Sequence, residues 1–233
     1  MANTIDSLDL YAKVEDLLEN SEAIEKLYGY YYDILSQLSF SSLLDIGCGS
    51  GTYLAKLQKK FSHVKAKGID LSPVMVERAK AKGVDAEATD LCMVEGKYDV
   101  ITAVFDMINY LPAEALESFF FYVGEHLNKG GFFIFDINTL YGFENVAVGA
   151  LITEDKERFL AIDSNFEAGE YRADFTLFEQ KGNCFVKEKN QIKQYFHSKD
   201  SLGAYSNMKL ISVHQITLYI DEPDKLLLVF QKV

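Results

Sequence analysis

The chain has 233 residues, 48% hydrophobic and 25% charged, with a formal net charge of −12. These values describe a globular protein of one enlarged domain or a domain with a cap. The acidic balance argues against a nucleic-acid partner, which needs basic patches to displace counterions. No apolar leader opens the chain, and no apolar run approaches the roughly 20 residues that cross a bilayer. A cytoplasmic protein without a membrane partner is expected. Cys48, Cys92 and Cys184 are widely spaced and form no CxxC, so they read as buried free thiols.

Residues 8–18 read as a short helix containing Tyr11. A second helix is expected over 22–38, where Ile24, Leu27, Tyr28, Tyr31, Leu35 and Leu38 follow the spacing of one buried face behind Ser21 as N-cap. A strand over about 41–46 then runs into Asp45-Ile46-Gly47-Cys48-Gly49-Ser50-Gly51 and a helix over about 51–61. Glycine tolerates positive φ and lets a ligand approach the backbone. Open α/β sheets bind nucleotides at such loops, beyond the carboxyl ends of their strands. The spacing Asp-x-Gly-x-Gly-x-Gly departs from the dinucleotide pattern Gly-x-Gly-x-x-Gly/Ala, whose third small position would be Thr52.

A strand over 64–70 leads to Ser72-Pro73, where serine caps a helix and proline takes its first position. Strands over 84–89 and 98–104 follow. Pro112 opens a helix with the face Leu116, Phe119, Phe120, Val123 and Leu127, and Gly130-Gly131 turn into a strand over 132–137. This alternation predicts right-handed crossovers and a parallel sheet covered on both faces. After Asn138 the pattern changes to strands over 158–166, 171–179 and 184–196, an antiparallel meander, and a last strand pair over 210–220 and 226–232. The expected division is a helical segment at 1–39, a core at 40–140 and 205–233, and an inserted β-cap at 141–204. The insertion leaves from the ligand-binding edge of the sheet, which favours a lid over a decoration that only covers apolar surface.

Asp70 ends the second strand about twenty residues after the glycine loop, where an acid accepts both hydroxyls of a ribose. The same position also suits an acid stabilised by a helix N-terminus. Asp90 ends the third strand and offers an acceptor for an adenine amino group, with Leu91 packing on the ring.

Asp45-Ile-Gly-Cys-Gly-Ser-Gly, Gly68-Ile-Asp-Leu-Ser, Thr89-Asp-Leu and Tyr98-Asp-Val, in this order over roughly 40–140, resemble the class I S-adenosylmethionine-dependent methyltransferases. Phe105-Asp-Met-Ile-Asn-Tyr-Leu is similar to a segment of their small bacterial members with a β-cap after the fifth strand. The resemblance implies an α/β, Rossmann-like seven-stranded, mostly parallel sheet with an antiparallel last strand, helices on both faces, and the inserted antiparallel cap. It implies S-adenosylmethionine as cofactor, S-adenosylhomocysteine as product and a small-molecule acceptor. Gly47, Cys48, Gly49 and Gly51 would lie along the methionyl part, with Asp45 near its amino group. Asp70 and Leu71 would meet the ribose, and Asp90 and Leu91 the adenine. Phe105 would line the cleft, and Tyr11 would fold over it, unless Tyr11 is a surface aromatic on a fraying terminus.

Methyl transfer asks the protein mainly for alignment and a dry, preorganised site. Asp106 and Asn109 sit at the mouth of the sheet and are candidates to orient an acceptor, or equally to cap the local loop. Tyr110, Tyr141, Tyr195 and His197 are candidates for the acceptor pocket. No set of residues has metal-ligand spacing. No Asp/Asn-Pro-Pro-Tyr/Phe follows the fourth strand, which argues against planar amino acceptors, and no Pro-Cys nucleophile stands there. A monomer or homodimer is expected. Two other readings remain open: a non-catalytic cofactor sensor, and an NAD(P)-dependent oxidoreductase, which the glycine spacing disfavours.

Overall fold

The computed structural model describes residues 5–18 and 21–233. Helix α1 (Ile5–Leu18) and helix α2 (Ser21–Leu35) precede β1 (Ser42–Ile46), whose Leu43, Leu44 and Ile46 are buried on both faces of the sheet. The chain continues through α3 (Thr52–Lys60), β2 (Lys65–Asp70), α4 (Pro73–Ala81), β3 (Ala86–Ala88), β4 (Tyr98–Ala103), α5 (Ala113–His126) and β5 (Leu127–Asn138). Four strands follow: β6 (Gly149–Glu154), β7 (Arg158–Glu167), β8 (Glu170–Lys181) and β9 (Cys184–Tyr195). Helix α6 (Lys199–Tyr205), β10 (Lys209–Ile216) and β11 (Lys225–Gln231) complete it.

The main sheet has seven strands in the order β3-β2-β1-β4-β5-β11-β10. Pairing is parallel from β3 to β5, and β11 runs antiparallel to both neighbours. The expected mostly parallel sheet with an antiparallel last strand is therefore present. Ser72 caps α4 through its hydroxyl, which accepts from Met75 N at 3.3 Å, with Pro73 behind it. One apolar cluster packs α2, α3 and α4 on one face of the sheet, and another packs α5 and α6 on the opposite face.

The cap is a separate antiparallel sheet in the order β6-β7-β8-β9. Its inner side forms a third cluster in which Leu160, Ile162, Phe175 and Ile192 meet Leu10 and Val14 of α1. Thus α1 packs with the cap and α2 with the core. No helix among the described residues is long and apolar enough to cross a membrane.

Several expectations need correction. Gly130 and Gly131 lie inside β5 rather than before it. Between the pairs Tyr98↔Leu127 and Val100↔Phe132 the register shifts, and a Cβ on Gly131 would stand 2.9 Å from the carbonyl oxygens of Asn128 and Asp99. Helix α2 begins at Ser21 and ends at Leu35, because the chain turns there to reach β1. Strand β6 and helix α6 were not anticipated. Cys92 and Cys184 are exposed; Cys48 alone is buried.

Candidate active site

The turn from β1 into α3 brings the glycine loop against the end of β2. Cys48 N donates to Ile69 O at 2.9 Å, and Gly49 N donates to Asp70 Oδ2 at 2.8 Å. The other Asp70 oxygen accepts from Ser72 N at 2.8 Å, so one carboxylate ties the glycine loop to the start of α4. Burial raises its pKa. Asp45 is buried beneath the loop and accepts from Thr102 Oγ1 at 2.7 Å. Burial, reinforced by the charge of Asp70 and opposed by the Thr102 hydrogen bond, raises the Asp45 pKa to about 7.

These groups line a cavity of about 650 Å³. Tyr11, Asp45, Gly47, Cys48, Gly49, Asp70, Leu71, Asp90, Leu91 and Phe105 all face it. Gly51 does not. With φ +74, it starts α3 where a Cβ would come within 2.7 Å of Ala79 Cβ, so its role is to let α3 approach α4. Asp90 also caps its own turn, accepting from Cys92 N at 3.0 Å.

Helix α1 crosses the mouth of this cavity. Ser72 Oγ donates to Asp9 Oδ1 at 2.9 Å and Ser50 Oγ to Glu15 Oε1 at 3.1 Å, which fasten the helix to the core. Lys13 pairs with Glu188 at 2.7 Å and Arg158 with Asp16 at 2.6 Å, which fasten it to the cap. The Tyr11 ring stands edge-on to Phe175 with centroids 6.5 Å apart. Tyr11 is therefore a wall residue rather than a surface aromatic.

The cavity's described lining contains five carboxylates, those of Glu15, Asp45, Asp70, Asp90 and Asp106, and no lysine or arginine. The Tyr53 hydroxyl, buried at its edge, finds no hydrogen-bond partner among the described residues. A pyrophosphate would be repelled here, whereas a ligand with a sulfonium, an ammonium and ribose hydroxyls finds acceptors. The residues present therefore fit S-adenosylmethionine and not a dinucleotide.

A second cavity of about 500 Å³ lies between the sheet edge and the cap. It shares Tyr11, Leu18, Phe105, Asp106, Tyr110 and Tyr219 with the first. At the shared wall the backbone of Phe105 and Asp106 takes φ values of +59 and +47, which are strained for non-glycine residues. The fully buried Asp136 of β5 holds them there. Its Oδ1 accepts from Phe105 N at 2.8 Å and from Tyr31 Oη at 2.7 Å, and its Oδ2 accepts from Asp106 N at 2.9 Å. The buried Lys225 ammonium reaches Asp136 Oδ2 at 3.1 Å, Asn138 Oδ1 at 2.8 Å and the Asp106 carboxylate. Gln194 Nε2 donates to the other Asp106 oxygen. Burial opposes the charge on Lys225, but Asp106 and Asp136 outweigh it and hold its pKa above the ordinary lysine range.

Among the acceptor candidates the structure places Asp106 and Tyr110 in the cavities and leaves four outside. Asn109 is fully buried. Its amide donates to Tyr195 O at 2.8 Å and accepts from Asn138 N at 2.9 Å, so it joins the cap to β5 instead of facing an acceptor. Tyr195 contributes that backbone carbonyl and lines neither cavity. His197 is buried with Nε2 2.9 Å from Leu111 O, and burial lowers its pKa. Tyr141 is exposed. Sequence reasoning missed Asp136, Asn138, Gln194, Tyr219 and Lys225. Lys225 begins the last strand, a position with no motif to mark it.

Residues 43–131 match a family model described as a methyltransferase domain. The chain is 25% identical over 217 residues to a malonyl-[acyl-carrier protein] O-methyltransferase of Bacillus cereus, covering 85% of this chain and 76% of that protein. It is 32% identical over 96 residues to the dTDP-3-amino-3,4,6-trideoxy-alpha-D-glucopyranose N,N-dimethyltransferase of Streptomyces venezuelae, covering 39% of this chain and 40% of that protein. Matches to several curated relatives span about half of those proteins' length or less. A crystal structure of an S-adenosylmethionine-dependent methyltransferase from Clostridium acetobutylicum superposes with a TM-score of 0.75 at 21% identity, covering 97% of each chain. The sheet order agrees with the fold of that structure, and residues 43–131, which carry the glycine loop and most of the acidic cavity, are similar to a methyltransferase domain.

Proposed function

We propose that this protein is an S-adenosylmethionine-dependent methyltransferase acting on a small molecule held under its β-cap. The observation that carries this reading is the shared wall. A cavity suited to the cofactor adjoins a second, partly aromatic cavity across a wall of Phe105, Asp106 and Tyr110. The cofactor, when bound, supplies a methyl group on positively charged sulfur.

The chain's own residues do the rest. Asp70 would take the ribose hydroxyls while keeping its bonds to Gly49 and Ser72. Asp90 and Leu91 would hold the adenine, and Asp45 with the loop at Gly47–Gly49 the methionyl end. Phe105 and Tyr110 separate the two compartments, and α1 with the cap excludes water from both. Such a site contributes by aligning the reactants and by fixed dipoles in a dry environment. The named relatives divide between O- and N-methyl transfer, and both kinds of acceptor are compatible with this reading.

A thermal-shift comparison tests it. S-adenosylhomocysteine is expected to raise the melting temperature and NADH to leave it unchanged. The reverse pattern would restore the oxidoreductase reading. Binding without turnover on any acceptor would favour the sensor.

A further inference from the structure

We propose that the acceptor is an amine, received at the shared wall by the carboxylate of Asp106. This rests on the methyltransferase reading above and names the substrate class of the same site. Lys225 is the only basic side chain among the described residues lining the cap cavity. Its three N–H donors are taken by Asp106, Asn138 and Asp136, so none is left for an incoming anion. Two carboxylates, Asp106 and Asp136, face this single ammonium, which leaves one negative charge in excess.

The two carboxylates are not equivalent. Asp136 is spent on Tyr31, on two backbone N–H groups and on Lys225, and it is fully buried. Asp106 receives one hydrogen bond on each oxygen, from Lys225 and from Gln194, and lies on the walls of both cavities. Each of its oxygens keeps a lone pair for a further donor. Asp224, the other acid on the cap cavity, is turned to the backbone N–H groups of Leu218 and Tyr219 at 2.9 and 3.0 Å. An acceptor carboxylate would thus meet a carboxylate with no free cation beside it, which is unfavourable in a buried site. An amine finds the remaining lone pairs of Asp106, with Tyr11, Tyr110, Tyr171 and Phe175 to pack its body and favour a cation.

The transfer balances without another reagent. The entering ammonium releases a proton to water, and the neutral amine donates an N–H to Asp106. Its lone pair forms the new N–C bond as the S–C bond breaks, the pair of that bond leaving on sulfur as a neutral thioether. The product departs as an alkylammonium ion.

The test uses the whole protein saturated with S-adenosylhomocysteine, so that the acidic cofactor cavity is filled. Cyclohexylamine, cyclohexanol and cyclohexanecarboxylate are titrated by protein-observed NMR. The amine is expected to bind about tenfold more tightly than the alcohol, as for a hydrogen bond to a charged group, and the carboxylate not at all. Asp106→Asn is expected to remove most of that preference. Equal affinities, tighter carboxylate binding or no response to the amine in the loaded protein overturns this proposal alone. Failure of S-adenosylhomocysteine to bind overturns the methyltransferase reading and the proposal with it.

Discussion

The carboxylate of Asp136 accepts the backbone N–H of Asp106 at 2.9 Å, while the Asp106 side chain turns to Lys225 on the next strand. A buried acid in β5 thus fixes the left-handed backbone at Phe105 and Asp106, and with it the wall between the two cavities. Strain of about 1–3 kcal/mol per residue persists only where the surroundings impose it.

Replacing Asp136 with alanine removes the acceptor of two backbone N–H groups and of Tyr31, and strips Lys225 of one partner. Breaking a buried ion pair from one side costs about 3–5 kcal/mol, and a loss of that size is expected by urea denaturation. A variant as stable as the native protein would show that the network is incidental to folding.

Asp70 should matter to ligand and loop together. Asp70→Ala is expected to weaken S-adenosylhomocysteine binding by about 1.5–3 kcal/mol, the range for hydrogen bonds to a charged group. That corresponds to about ten- to a hundredfold in Kd by calorimetry. Unchanged affinity in a folded variant would remove Asp70 from the ribose.

Asp45 gives the site a pH dependence. Its raised pKa means that the folded state favours the neutral carboxyl. This stabilisation is complete below its ordinary value of 3.8 and is lost as pH rises toward about 7. Relative to Asp45→Asn, the native protein should lose stability steadily across that window in denaturant titrations. Binding of a ligand ammonium runs the opposite way and should tighten as Asp45 ionises. An identical pH profile in the two proteins would mean that Asp45 is already ionised in the acid range.

Gly51 separates packing from binding. Gly51→Ala places a Cβ 2.7 Å from Ala79 Cβ at φ +74, and a loss of about 1–3 kcal/mol is expected from strain of this kind. The Kd of S-adenosylhomocysteine in the folded fraction should change little, because Gly51 lies outside the cavity. A large loss of affinity with unchanged stability would return Gly51 to the binding surface.

The parts of the site carried by local pattern were legible in the sequence. The glycine loop follows β1, Asp70 ends β2 and Asp90 lies two residues past β3, so their place on one sheet edge follows from the parallel order of these strands. The acceptor side was less legible because it is assembled from distant elements. Asn109, Tyr195 and His197 have side chains suited to a pocket, yet the cap uses them or their backbone to join itself to the core. Lys225 and Asp136 meet because β11 pairs antiparallel with β5, with Leu227 opposite Asp136 and Lys225 opposite Asn138. No spacing along the chain announces that register. Strand β6 was missed because its exposed edge lacks a buried alternating face.

The most direct test of the central claim is calorimetric titration of the native protein with S-adenosylhomocysteine. The acidic cavity beneath α1 predicts saturable binding with a micromolar Kd. No binding at millimolar ligand, with the protein shown to be folded, would contradict the assignment of that cavity to the cofactor.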